Sequence, residues 1–148
     1  MVEAEPPRQR TLADKLDRLF TTVRSPRGGE YTFEEVATAL REAGGPTISA
    51  TYVWQLRKGI RDNPTKRHLE ALASFFGVSP SYFFDEAAAE RIEAELELLT
   101  AMRDSSVRSM ALRAAGLSPS SLEAIRAVIE NARRLEGLPD DERDPPEE

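Results

Sequence analysis

The chain has 148 residues, of which 40% are hydrophobic, enough for one ordinary core or two small ones. It lacks cysteine and has one histidine, which excludes disulfides, thiolate metal sites and histidine clusters, so we expect no metal and no cofactor. Its net charge of −6 argues, taken alone, against a polyanionic partner. No apolar run approaches the roughly 20 residues of a membrane span, and no signal-peptide pattern opens the chain, so we expect a cytoplasmic protein without a membrane partner.

Both ends of the chain are polar and rich in proline and charge, so we expect disordered tails at residues 1–10 and 138–148. Residues 11–84 contain apolar residues at helical spacing, punctuated by residues that begin and end helices. A short turn of helix after Ser79 and Pro80 completes five helices in one compact domain. The first four helices are predicted to begin after the N-caps Thr11, Thr32, Ser49 and Thr65.

Residues 85–137 predict three longer and more acidic helices. In the first of them, Ala88, Ile92, Leu96 and Leu99 recur four, four and three residues apart. The second carries a shorter apolar stripe, and the third begins at Ser118 with Pro119 at its first helical position. Three such helices have more apolar face than they can hide from water alone, which predicts a partner.

The third helix and the loop after it, ISATYVWQLRKGIRDNP, form the most informative segment. Ile48, Val53 and Leu56 face a core, and Gly59 ends the helix. The opposite face carries small and amide-bearing side chains followed by basic residues, an arrangement typical of helices that read DNA bases. This outward face comprises Ala50, Thr51, Trp54, Gln55 and Lys58.

The basic charge of the chain is local. Residues 1–78 carry 12 basic and 10 acidic side chains, whereas the rest carries 8 basic and 16 acidic ones. Residues 57–67 hold five basic side chains against the single acidic Asp62. Such a cluster beside a reading helix is where a phosphate backbone would run, and the acidic half would stay away from the DNA.

Two levels of resemblance follow from these residues. The order TFEEVATAL, ISATYVWQLRKG, Asn63–Pro64 and LEALASFFGVSPSYFF resembles the five-helix DNA-binding domain of Cro-repressor and XRE-type helix-turn-helix regulators. The region from about Leu12 to Leu138, with its segments LADKLDRLFTTV, GIRDNP, TAMRD and ARRLEGL, resembles more specifically the EspR-like nucleoid-associated regulators of actinobacteria. The resemblance implies an all-α protein with a helix-turn-helix domain at 11–84 and a dimerisation region at 85–137.

The same resemblance implies a transcriptional regulator or nucleoid protein that binds double-stranded DNA as a homodimer, with pairing of dimers as an option. The reading positions fall on Ala50, Thr51 and Gln55, with Ser49 and Tyr52 near phosphates. Gln55 can make a bidentate contact to adenine. The predicted DNA-binding set also contains Trp54, Arg57, Lys58, Arg61, Asn63, Lys66 and Arg67, and the predicted dimer contacts are Ile92, Leu96, Leu99, Leu122, Ile125 and Ile129.

The chain departs from the XRE pattern at three places. The turn REAGGPTI is longer than usual, Phe33 stands where many relatives place a phosphate-contacting glutamine, and Trp54 occupies an outward position usually held by a small polar residue. Trp54 either stacks against sugar and phosphate or packs under the lengthened turn. Two alternative functions stay open: a protein-interaction module that has lost DNA binding, and a repressor with an effector bound in its C-terminal part.

Enzymatic activity is not expected. Neighbouring carboxylates such as Glu34 and Glu35 have no nucleophile, metal ligand or phosphate loop beside them in the sequence, and catalytic carboxylates need positioned partners. We therefore predict no catalytic residues.

Overall fold

The computed structural model describes residues 10–139 as eight helices without a β-strand. The all-α prediction is confirmed for this part of the chain. Of the disordered tails predicted at 1–10 and 138–148, residues 1–9 and 140–148 lie outside the described residues. The helices are α1 (Leu12–Thr22), α2 (Phe33–Glu42), α3 (Ala50–Lys58), α4 (Lys66–Phe76), α5 (Ser81–Phe84), α6 (Glu86–Ala101), α7 (Ser105–Ala114) and α8 (Pro119–Leu135).

The predicted helix boundaries in the N-terminal half agree closely with the structure. Ser49 Oγ accepts the Tyr52 N–H at 3.0 Å, and Thr65 Oγ1 accepts the His68 N–H at 3.2 Å. The capping box of Thr32 and Glu35 is present, and α3 ends at Gly59 in the left-handed conformation with φ 78°. A second capping box, between Thr11 and Asp14, was not predicted.

The chain divides into two compact units, with the boundary after Ala101. The first unit contains α1 to α6 around one core of aliphatic and aromatic side chains. Phe20 lies at its centre, with ring centroids 5.3 Å from Phe33 and 5.0 Å from Phe76. Edge-to-face and tilted contacts of this kind stabilise the core beyond simple burial.

Helix α6 belongs to the core of the first unit. Its residues Ala88, Ala89, Ile92 and Leu96 are buried there. We expected Ile92 and Leu96 to form a dimer interface, but the core of their own unit already covers both side chains. The compact unit therefore extends to Ala101, beyond the predicted boundary at Phe84.

Three ion pairs join the start of the chain and α1 to α6. Their nitrogen–oxygen distances are 3.3 Å for Arg10 with Glu93, 3.4 Å for Lys15 with Glu86 and 3.3 Å for Arg18 with Glu97. Because the Lys15 side chain is almost fully buried, its ammonium group requires such a partner. Acidic residues of α6 thus neutralise basic residues of the same unit.

The second unit begins at Met102 and contains α7 and α8. Asp104 caps α7 and Ser118 caps α8, which has the predicted Pro119 in its first turn. Neither helix has a buried residue.

Among residues 10–139, no helix combines the length and apolar character needed to cross a bilayer.

Candidate nucleic-acid interface

Helix α3 is anchored by its inner face. Ile48 just before it, then Val53 and Leu56, are buried in the core, as predicted. The Ser49 cap fixes where the helix begins, and the Gln55 carbonyl accepts the N–H groups of Ile60 and Arg61 at 2.9 and 3.2 Å. These bonds attach the start of the basic loop to the end of the helix.

The outer face of α3 is accessible to a partner. Thr51, Trp54 and Lys58 are exposed, while Ala50 and Gln55 are half-buried. Trp54 is 40% exposed, so it is only partly covered by its neighbours. The predicted reading residues therefore share the open side of one helix.

Tyr52 lies on the flank of α3 that faces α4. Its ring centroid is 5.6 Å from that of His68, and the two rings meet edge to face. Ser49 is exposed, and its oxygen accepts the cap hydrogen bond, which leaves its hydroxyl hydrogen free to donate.

The cations at the end of α3 and after it lie on the surface. Lys58, Arg61, Lys66 and Arg67 are exposed, as is Asn63. Lys66 pairs with Glu70 at 3.8 Å, but both side chains are solvated, and exposed pairs of this kind contribute little stability. Glu70 therefore holds Lys66 only weakly.

Arg57 differs from the other predicted cations because its side chain is only 14% exposed. Its Nε donates to Asp17 Oδ1 at 3.0 Å, and a terminal nitrogen donates to Glu30 Oε1 at 2.9 Å. The guanidinium carbon lies 4.7 Å from the Phe20 ring centroid and 5.8 Å from that of Phe33. The structure thus directs this side chain inward, away from the exposed cations with which we grouped it.

The lengthened turn between α2 and α3 is hydrogen-bonded to the last turn of α2. The Gly45 N–H donates to the Leu40 carbonyl at 3.1 Å, and a Cβ at Gly45 would lie 3.3 Å from the same oxygen. A cleft of about 380 Å³ separates α2 from the start of α3, lined among others by Glu34, Arg41 and Thr47. Phe33, at the start of α2, stands where many relatives of the XRE type have a phosphate-contacting glutamine. Its ring packs against Phe20 instead.

The start of α2 is held by an ionised carboxylate. The Thr32 backbone N–H donates to Glu35 Oε1 at 3.1 Å, and Arg27 also pairs with this oxygen. The Thr32 N–H is the main reason why the pKa of Glu35 lies below its ordinary value. The carboxylate therefore stays charged at neutral pH and keeps the capping box closed.

Comparison with known proteins decides the family. No family model matches the chain. Two relatives, each called Nucleoid-associated protein EspR and from Mycobacterium tuberculosis strains CDC 1551 and H37Rv, are 43% identical to it over 128 residues, which cover 86% of the chain and 96% of each relative. The chain belongs to the EspR family. The EspR-like resemblance inferred from the sequence is confirmed, and neither EspR relative is named as an enzyme.

The surroundings of two residues of this EspR family chain were not predicted from the sequence. Ile60 lies in the basic loop between Lys58 and Arg61 and is 58% exposed. The sequence could have indicated this exposure, because Ile60 follows the glycine that ends α3 and has no helical neighbour to cover it. Arg57 contacts Asp17 and Glu30, which precede it in the chain by 40 and 27 positions. A local charge pattern carries no information about such distant partners.

The predicted dimer contacts of the EspR family chain divide into two groups. Ile92 and Leu96 are buried within their own unit, whereas Leu99 at the end of α6 is 59% exposed. On α8, Leu122, Ile125 and Ile129 are 42%, 39% and 52% exposed.

No cluster of three potential metal ligands occurs among the residues from Arg10 to Pro139.

Proposed function

We propose that this EspR family member is a double-stranded DNA-binding regulator or nucleoid protein that places α3 in the major groove. The observation that carries this proposal is the open face of α3, where Thr51, Trp54 and Gln55 lie beside the exposed Lys58. A helix fits the major groove, where an amide side chain distinguishes adenine through paired hydrogen bonds. We assign the domain to the XRE/Cro helix-turn-helix type.

Exposed cations supply the sequence-independent part of the binding. Lys58, Arg61, Lys66 and Arg67 adjoin the reading face, and Ser49, Tyr52 and Asn63 add polar groups. Neutralising phosphates releases counterions, so affinity should fall steeply with salt. The names of the relatives, which call them nucleoid-associated, support a cytoplasmic protein that spends its time on chromosomal DNA.

We further propose a homodimer. A symmetric dimer presents two reading helices to half-sites about one helical turn, ~34 Å, apart. Support comes from α7 and α8, whose apolar residues Val107, Met110, Leu122, Ile125 and Ile129 are all exposed in the single chain. A second copy of the same helices would cover them, and further pairing of dimers would bridge distant sites.

Gel-shift titration of the full chain tests the DNA assignment. Gln55→Ala should reduce the preference for a selected duplex over a scrambled one, while binding to the scrambled duplex stays unchanged. Lys58→Ala and Arg61→Ala should weaken both duplexes equally, and each should lower the salt slope by about 1. If all three variants bind like the parent at every salt concentration, the interface lies elsewhere.

Two observations favour a second function, a protein-interaction module without DNA. The chain carries 26 acidic against 20 basic side chains, and Arg57 is withdrawn from the surface. In that case the parent chain would bind duplex no better than it binds a neutral polymer. The same titration therefore separates the two functions.

A further inference from the structure

Arg57 joins three segments of the first unit through one guanidinium group. Asp17 and Phe20 belong to α1, and Glu30 lies in the loop before α2. Phe33 begins α2, and the guanidinium carbon lies over both phenyl rings. Each segment comes from a different part of the chain, yet all of them meet on one side chain of α3. A planar group with donors fixed in a fork suits this arrangement, whereas an ammonium group does not.

The surroundings of Arg57 are unfavourable for a phosphate. Two carboxylates already compensate its charge at 3.0 and 2.9 Å, and an approaching phosphate would meet their negative charge. Asp17 and Glu30 are 55% and 40% exposed at their side chains, so both are far more accessible from solvent than the Arg57 side chain, which is 14% exposed. Arg57 is thus held inside the domain by two acidic side chains at the edge of the domain.

We propose that Arg57 is a positioning residue that sets the orientation of α3 about its own axis and does not contact DNA. The inference rests on the proposed DNA-binding function, which it deepens. Arg57 lies three residues after Trp54 and two after Gln55, so a small rotation of the helix at Arg57 displaces the reading side chains from the base edges. Fixing Arg57 to α1 and to the loop before α2 keeps Thr51, Trp54 and Gln55 in register with the groove.

Three variants separate positioning from phosphate binding. Arg57→Lys keeps the charge but loses the fork, Asp17→Asn with Glu30→Gln removes the carboxylate charges, and Lys58→Gln is the control on the exposed neighbouring cation. Each full-length variant is titrated against a selected and a scrambled duplex at several salt concentrations. Thermal unfolding confirms that each is folded at the temperature of the assay.

The positioning role predicts a specific pattern. Arg57→Lys should lower the preference for the selected duplex by about fivefold to a hundredfold, the range that one good base contact supplies, without changing the salt slope. Asp17→Asn with Glu30→Gln should do the same, although removing two negative charges would by simple electrostatics strengthen binding. Lys58→Gln should lower the slope by about 1 and keep the preference.

Two results would overturn the role of Arg57. One is parental preference in Arg57→Lys, and the other is tighter binding of both duplexes, with unchanged preference, in the carboxylate variant. Backbone amide chemical shifts of free Arg57→Lys add a readout that does not depend on DNA: changes should concentrate in residues 50–58, and unchanged shifts there would refute positioning. A parent chain that binds neither duplex refutes the proposed function instead, while the shifts still decide the role of Arg57.

Discussion

Tyr82 connects α5 to α1 and α6 through a single hydroxyl group. Its side chain is fully buried, and the hydroxyl lies 3.0 Å from Glu93 Oε1 and 3.3 Å from the Lys15 carbonyl oxygen. Burial, and then the negative charge of Glu93, raise the pKa of Tyr82 well above its ordinary value. The hydroxyl therefore stays protonated in the folded protein at a pH where it ionises in the unfolded chain.

This difference predicts how stability depends on alkaline pH. Because the folded pKa is raised, the contribution of Tyr82 is complete below the unfolded value of about 10 and is lost as pH rises above it. The free energy of unfolding should fall by about 1.4 kcal/mol per pH unit there because of this one group. Urea unfolding of the parent and of Tyr82→Phe from pH 8 to 11.5 measures it, since the variant lacks this component. Parallel curves for the two proteins would contradict the assignment.

Gly59 provides a second test at the scale of one residue. Its φ of 78° is in the left-handed region, where a Cβ costs about 1 to 2 kcal/mol. The space around it is adequate, since an added Cβ would lie 3.5 Å from the Ala13 side chain. Gly59→Ala should therefore lower the free energy of unfolding by about that amount through backbone strain alone.

The control for Gly59 is Gly29→Ala. Gly29 has neither a left-handed φ nor an atom within 4 Å of an added Cβ, so alanine there should be neutral or slightly stabilising. Both variants are compared by urea unfolding. Equal effects at the two glycines would show that the conformation of Gly59 is not what ends α3.

At the scale of elements, local signals predicted the N-terminal helices well. The caps Thr11, Thr32, Ser49 and Thr65 and the stop at Gly59 act within one turn of their own helix, so their physics is contained in the sequence. The apolar stripe of α6 likewise predicted burial. It did not indicate which surface provides the burial, because a periodic stripe fits a core of the same chain and a partner equally well.

The candidate site shows the same limit. The outward residues Thr51, Trp54 and Gln55 follow from helical periodicity once Val53 and Leu56 are assigned to the core. The inward direction of the Arg57 side chain depends on Asp17 and Glu30. Both lie too far from Arg57 in the chain for a local sequence pattern to indicate the contact. Four of the five clustered cations are therefore exposed, whereas the Arg57 side chain packs into the fold.

Helix α6 gives the prediction at this scale. A chain ending after Ala101 keeps the whole first unit, whereas one ending after Phe84 loses the four buried residues of α6. Burial of Ile92 and Leu96 alone contributes about 3 to 6 kcal/mol. The shorter chain should unfold at a much lower temperature in circular dichroism melts, or lack a cooperative transition. Equal melting temperatures for both chains would show that α6 is dispensable for the unit.

At the scale of the whole molecule, the distribution of charge makes a net charge of −6 compatible with the proposed DNA partner. Arg10, Lys15 and Arg18 are paired with acidic residues of α6, and Arg57 is paired with Asp17 and Glu30. Lys58, Arg61 and Arg67 remain exposed beside the reading face of α3. The local field at the interface is thus set by a few surface cations, so binding should be more sensitive to each of them than to the net charge.

The proposed homodimer gives the last prediction. Ile125 and Ile129 lie one helical turn apart on α8, and both are exposed in the single chain. Ala127 lies on the opposite side of the same helix, about 160° from each of them at 100° per residue. A glutamate at Ile125 or Ile129 would bring a charge into an apolar contact between two copies, whereas Ala127→Glu would leave that contact intact.

Light scattering of the purified full chain over a range of concentrations measures the outcome. Ile125→Glu with Ile129→Glu should shift the dimer to monomer and weaken binding to a duplex with two half-sites, because each copy then binds alone. Its affinity for a single half-site should stay at the parental value, since α3 is unchanged. Ala127→Glu should remain dimeric. Dimers of equal stability in both variants would place the contact between copies on another face of the molecule.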